Sequence, residues 1–298
     1  MADHILVLRT PSGLSGDMLV SGLAAVSGLD AAAFAATLTR IGLPELEGAA
    51  RVVPRSLDGI AGVGLEVTLP HVHEHRRLPD ILAIIAASGM AQPAKDMAGR
   101  ALHVLAAAEA AVHGASPEDV HFHEVGAQDS ILDVCLACEL FVRLAPARFI
   151  CSPLPVCDGV VRCAHGTLAT PAPAVLHLLK GMPIYGIDST GETVTPTAAA
   201  LLRAMGAQFG PWPALVLGHH VRAFGGRVLP GVPNGAVFAL GEACCLPRPN
   251  GADALDRETQ HDHGPSQEQA HEHPHVHDHV HSHDYNHTHT QTHGGDAS

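Results

Sequence analysis

The chain opens on a short, continuous apolar run, His4 to Arg9, closed by Thr10-Pro-Ser-Gly. Such a run bounded by turn residues predicts a strand buried on both faces. Apolar positions then recur with helical spacing from Met18 to about Val26 and again over Ala31 to Ile41. Two strand patterns follow, Ala50 to Arg55 and Gly62 to Leu69, before a helix over Leu78 to Ala87 and a long Ala-rich amphipathic helix over Pro93 to His113. A further helical run passes through Ile131 to Leu136. In the second half, Phe149 to Pro155, Gly159 to Arg162 and Pro183 to Ile187 read as strands, and Ala164 to Pro173 as a loop stiffened by proline. Helices are predicted from Ala174 to Leu179 and after Thr195, which stands at an N-cap with Pro196 at the first helical position. Strands alternating with helices predict an α/β (or α+β) fold, a mixed sheet with flanking helices, over residues 1–246. From Pro247 the apolar residues nearly vanish, so residues 247–298 are expected to form a disordered, histidine-rich tail.

Composition narrows the function. Aromatic residues are only 3% of the chain and the formal charge is −13, which leaves few platforms for stacking bases and repels phosphate backbones. No nucleic-acid partner is expected. No apolar stretch reaches the length of a membrane span, and the N-terminus lacks the cationic start of a signal peptide. Seven cysteines, an odd number with no small-domain framework, point to reduced thiols and a cytoplasmic location. Cys135 and Cys138 form a CxxC, but within an apolar helical pattern that suits buried structural thiols better than a metal site.

Candidate chemistry concentrates in His121-Phe-His-Glu-Val-Gly-Ala-Gln-Asp129-Ser-Ile-Leu-Asp133. On an extended segment, His121 and His123 project to one side; on a helix, Asp129 and Asp133 stack one turn apart. With Glu124 between them, these side chains have the composition of a metal site, the alternative being a solvated turn with Asp129 as a helix cap. The loop Ser12-Gly13-Leu-Ser15-Gly16-Asp17, between a strand and a helix, could present backbone N–H groups to an anion, although it lacks the Lys-Ser/Thr of a P-loop. A second histidine group, His71, His73 and His75, lies in a predicted loop and reads equally well as metal handling or solvated surface. Twelve of the 24 histidines fall between His261 and His293. Imidazoles at that density, interspersed with carboxylates, bind borderline divalent cations and suggest a flexible metal reservoir.

These residues together resemble the LarC family of nickel insertion proteins. The likeness runs from Ser12-Gly-Leu-Ser-Gly-Asp-Met18 through His71 to Arg77, Ala108-Glu-Ala110 and Val120 to Asp133. It continues through Ser152-Pro-Leu-Pro155, His165-Gly-Thr-Leu, Pro171-Ala-Pro173, Thr195-Pro-Thr197, Pro230-Gly-Val-Pro-Asn234 and Leu240-Gly-Glu242. The chain departs from the family at Ala198, where a glycine is usual, at Glu192-Thr193, and at Gly218 to Gly226, which stands in place of a Tyr-containing glycine turn. The histidine tail is expected to occupy the place of the family's usual C-terminal domain. The resemblance implies insertion of Ni²⁺ into a pyridinium-3,5-bisthiocarboxylic acid mononucleotide, with CTP and Mg²⁺ or Mn²⁺ as further cofactors. A separate C-terminal-domain subunit and a nickel-pincer-dependent recipient enzyme are the implied partners. His121, His123, Asp129 and Asp133, with His71, His73 and His75, are then the expected metal residues. Ser12, Gly13, Ser15, Gly16, Asp17, Thr195 and Thr197 are expected to bind the nucleotide. Forming a carbon–nickel bond displaces a proton, so Glu124 or His165 is expected to act as base. Two other readings predict different behaviour: a non-catalytic nickel storage or delivery protein, and a Mg²⁺-dependent nucleotide phosphohydrolase using Asp17, Asp129 and Asp133.

Overall fold

Every interior side chain of β1 (His4–Arg9) is apolar, so both faces of the strand need cover. Ile5, Leu6, Val7 and Leu8 are accordingly buried to 1% exposure or less. The computed structural model describes residues 4–43, 48–68, 76–122, 128–163 and 166–245, within one unit spanning Met1–Pro247. After β1 come α1 (Gly16–Val26), α2 (Ala31–Ile41), β2 (Ala50–Leu57), β3 (Ile60–Val67), β4 (Arg76–Arg77), α3 (Leu78–Ala87) and α4 (Gln92–His113). Then follow β5 (His121–Phe122), α5 (Gln128–Leu144), β6 (Arg148–Cys151), β7 (Leu154–Val156), β8 (Val160–Cys163) and β9 (Gly166–Ala169). The remaining elements are α6 (Pro173–Leu179), β10 (Ile184–Gly186), α7 (Pro196–Ala204), β11 (Gln208–Phe209), β12 (Leu215–Ala223) and β13 (Ala236–Ala243).

Among the described residues the main sheet has seven strands in the order β11-β6-β1-β13-β12-β3-β2. It is mixed: β1 runs parallel to β6 and antiparallel to β13, with Arg9 opposite Val237 and His4 opposite Glu242. The α/β expectation therefore holds. Alternation along β1 sends Leu6 and Leu8 into the main core with α1, α4, α5 and α7, and Ile5 and Val7 to a small cluster with Ile150 and Ala239. Alanines at positions 94, 98, 101 and 106 line the buried face of α4, and their small side chains suit close helix packing.

The predicted helices appear with boundaries shifted by at most a few residues where the pattern named both ends. Three segments differ. Phe149 to Pro155, read as strand, divides at Ser152-Pro153 into β6 of the main sheet and β7, which pairs with β10. Gly166–Ala169, read as loop, pairs antiparallel with β8; its glycine and threonine hid a strand whose pattern is neither alternating nor apolar. Gly218 to Ala223, read as part of a glycine turn, lies in β12, with a register shift beside Gly218, and only Phe224-Gly-Gly226 leaves the strand. The tail beyond Cys245 and the loop holding His71, His73 and His75 lie outside the described residues.

Burial raises the thiol pKa of Cys135 to about 12 and pushes that of Cys138 well up, so both remain protonated structural thiols on α5, as their apolar setting implied. Of the described helices, none is long and apolar enough to cross a membrane. Glu139, on the same helix, is 4% exposed yet accepts from Arg40 Nη2 at 2.6 Å and from the backbone N–H of Ala91 at 3.0 Å. One carboxylate thus ties the end of α2 and the start of α4 to α5. Arg40 is about half exposed and can be rehydrated, so Glu139→Ala is expected to cost about 2 kcal/mol, below the usual range for a fully buried pair. Urea unfolding would measure it.

Candidate functional site

The carboxyl ends of β1 and β12 and the amino end of β13 meet at one edge of the sheet, because Arg9 pairs with Val237 and Ala223 with Ala236. The chain leaves β1 there through Thr10 to Ser15. Gly13 has φ +110°, and a Cβ on it would lie 1.7 Å from the carbonyl oxygen of Thr193. Only glycine suits both the left-handed backbone and that approach. The approach lets Leu14 donate its N–H to Thr193 O at 2.8 Å, while Thr195 N–H returns to Leu14 O at 3.1 Å. Two sequence-distant segments are so joined by a two-bond parallel bridge. Thr195 then caps α7, its Oγ1 accepting from the N–H of Ala198, with Pro196 in the first turn as the sequence predicted.

At the start of α1, Ser15 has the extended backbone of an N-cap, but its hydroxyl donates to Asp17 Oδ1 rather than capping the helix. The same carboxylate oxygen accepts from the N–H of Met18 at 2.9 Å. Gly13, Leu14 and Met18 therefore spend their N–H groups within the protein. Opposite this turn, α5 brings Asp129 and Asp133 onto the same side one turn apart. Gly16 permits the approach: a Cβ there would fall 2.3 Å from Asp133 Oδ2. Burial, followed by the charges of Asp17 and Asp129, pushes the pKa of Asp133 well above the ordinary carboxylate value. Three carboxylates, of Asp17, Asp129 and Asp133, thus line one chamber.

The space between these elements forms two adjoining chambers. One, of about 400 Å³, is lined by Gly16, Asp17, Asp129, Asp133, Glu192 and Thr197 among others. The other, of about 220 Å³, is lined by Ser12, Gly13, Asp17, Arg55, Phe224 and Arg227 among others. Ser15, Asp17, Glu192 and Thr195 belong to both. Thus Ser12, Gly13, Ser15, Gly16, Asp17, Asp129, Asp133, Thr195 and Thr197, singled out in the sequence, gather around one cleft. His123, Glu124 and His165 lie outside the described residues, and His121 is described for its backbone alone, where β5 pairs with β4. Among the described residues no group of three His, Cys, Asp or Glu side chains is placed to hold a metal ion. The sequence reading gave no role to Arg55, Arg227 or Glu192. Glu192 had been noted only as a departure, and nothing in the spacing of the two arginines marks them.

The acidic chamber thus adjoins one that carries two arginines. A family model described as nickel insertion protein matches residues 6–283, and the chain belongs to that family. It is 38% identical over 231 residues to a putative nickel insertion protein of Geotalea daltonii, covering 78% of this chain and 59% of the relative. To pyridinium-3,5-bisthiocarboxylic acid mononucleotide nickel insertion proteins it is 42% identical over 204 residues in Desulfitobacterium hafniense, covering 68% of this chain and 50% of the relative. For the one from Nocardioides sp. the figures are 39% over 223 residues, 75% and 56%. The chain spans about half to three fifths of the length of these curated relatives. No solved structure matches it.

Proposed function

We propose that the chain inserts Ni²⁺ into a pyridinium-3,5-bisthiocarboxylic acid mononucleotide, in the cytoplasm, and passes the product to a nickel-pincer-dependent enzyme. The observation that carries this reading is the convergence of Asp17, Asp129 and Asp133 on one chamber that shares a wall with a second, arginine-bearing one. Carboxylates together with imidazoles hold nickel yet release it more readily than a thiolate cage would. Asp129 and Asp133, with His121 and His123, take the ion. His71, His73, His75 and the histidines of residues 247–298 supply it. Ser12, Gly13, Ser15, Gly16, Asp17, Thr195 and Thr197 form the wall against the mononucleotide, and Glu124 or His165 accepts the proton released as the carbon–nickel bond forms. CTP with Mg²⁺ or Mn²⁺, and a separate C-terminal-domain subunit, complete the reaction.

The test incubates the full chain with Ni²⁺ and the mononucleotide, with and without CTP and Mg²⁺ or Mn²⁺, and detects the nickel-bearing product by mass spectrometry. The expected result is product formation, lost in Asp17→Ala and in the double variant His121→Ala/His123→Ala, and retained at saturating nickel after removal of residues 247–298. Retained nickel binding with no product under any condition would instead identify a storage or delivery protein. One observation favours a second reading: the described part of the cluster supplies only carboxylate oxygens, which suit Mg²⁺. A phosphohydrolase would turn over nucleotide with Mg²⁺ alone, indifferent to nickel.

A further inference from the structure

Cationic side chains are scarce in this protein, 17 Lys and Arg against 30 Asp and Glu, so two arginines lining one small chamber call for an explanation. Arg55 projects from β2 across β3, where Gly64 leaves room: a Cβ there would come within 3.1 Å of Arg55 Cδ. Among the described residues, Arg55 is partly buried and has neither a hydrogen bond nor an ion pair. Arg227 comes from the β12–β13 connection. Asn234 braces that loop, accepting from Leu229 N–H at 2.8 Å and donating to Leu229 O at 2.7 Å and Val232 O at 3.0 Å. Ser189 adds a hydrogen bond to Pro230 O at 2.8 Å. Arg227 Nη1 meets Glu192 Oε2 at 3.0 Å, which orients the guanidinium. A guanidinium has five N–H donors, and this pairing leaves donors for a ligand.

The opposite wall is the glycine turn. Its N–H groups at Gly13, Leu14 and Met18 are already bonded, and the carboxylate of Asp17 sits on the helix end. A phosphate on that wall would find three of the six N–H groups from Gly13 to Met18 already engaged and would face the carboxylate of Asp17, whereas the arginine wall offers guanidinium donors and positive charge. From this we infer that Arg55 and Arg227 are the groups that recognise the phosphate of the mononucleotide. The phosphate then lies in the smaller chamber and the metallated ring faces the carboxylates of the larger one. Glu192, which lines both chambers, acts as a positioning residue for Arg227. This inference rests on the proposed function and adds to it the orientation of the substrate and two specificity-determining residues.

The experiment is calorimetric titration of the full chain with pyridinium-3,5-bisthiocarboxylic acid mononucleotide and, separately, with the dephosphorylated nucleoside. The parent protein is expected to prefer the mononucleotide, and rising salt to weaken that preference. In Arg55→Gln/Arg227→Gln the affinity for the mononucleotide is expected to fall about 10- to 100-fold and the preference to approach unity. The Arg55→Lys/Arg227→Lys variant keeps both charges and is expected to retain part of the preference without the bidentate geometry. A Gln double variant that melts like the parent and keeps the parent's preference overturns the inference and leaves the proposed function standing. Equal affinity of the parent for both compounds does the same. A parent protein that binds neither compound overturns both.

Discussion

Gly13→Ala is expected to lower the stability of the protein by more than about 3 kcal/mol, a loss seen only where a named structural conflict exists. Two conflicts coincide there. The backbone at φ +110° is strained for any L side chain, and the added methyl would lie 1.7 Å from Thr193 O. Neither the loop nor the 193–195 segment can retreat without breaking the two hydrogen bonds through Leu14. At about 2–4 °C per kcal/mol for a chain of this size, the melting temperature should fall by at least about 6 °C. Gly186→Ala is the control: the added methyl meets nothing within 4 Å and φ is not positive. It should leave the melting curve within about 0.5 kcal/mol of the parent. If Gly13→Ala melted with its control, the close contact between the first loop and Thr193 would be wrong, and the shared cleft with it.

Asp133→Asn should separate stability from function. In the metal-free protein Asp133 is a partly buried carboxyl beside two others, and its pKa in the folded state is raised first by burial and then by Asp17 and Asp129. The folded state therefore holds this proton more tightly than the unfolded chain does. The stability Asp133 contributes is full below its unfolded pKa, about 3.9, and is lost as pH rises through the folded value. Asparagine fixes the uncharged form. In chelator-treated samples the variant is expected to be more stable than the parent at neutral pH, by about 1 kcal/mol, the common scale for relieving a conflict at a functional site. That gap should close as the pH is lowered. Nickel affinity of a variant lacking the tail should move the other way, falling about 10- to 100-fold, the usual effect of disturbing a ligand or its support. Equal stability of the two proteins at every pH would show that neither burial nor the neighbouring carboxylates disfavour the charged form of Asp133.

Much of the helical architecture and the first strands were legible because those elements carry their own local signals, whereas β11 and β13 have no reading in the sequence analysis. The apolar run of β1, the turn after it, and Thr195-Pro196 at the head of α7 name their structures without help from the rest of the chain. The proximity of Ser12–Asp17, Asp129–Asp133 and Thr195–Thr197 rests on two features that no spacing displays. One is the bridge between Leu14 and Val194, and the other is the missing side chain at Gly16 facing Asp133. Arg55 and Arg227 escaped notice for a related reason: each is an ordinary charged residue of a strand or loop until the sheet sets both beside one chamber. β9 was missed because its pairing with β8, rather than its own composition, makes it a strand.

Pairing His4 with Glu242 places the first strand of the described residues beside their last, at the centre of the sheet. A ribosome working at about 5–20 residues per second takes on the order of ten to fifty seconds to deliver β13 after β1. Throughout that interval the edge of β1 that pairs with β13 has no partner, because that neighbour has not been synthesised. The acidic turn at Asp17 likewise has no Thr193 to close upon. The chamber that Asp17, Thr193 and Gly235 line together is assembled only once all three segments have been made.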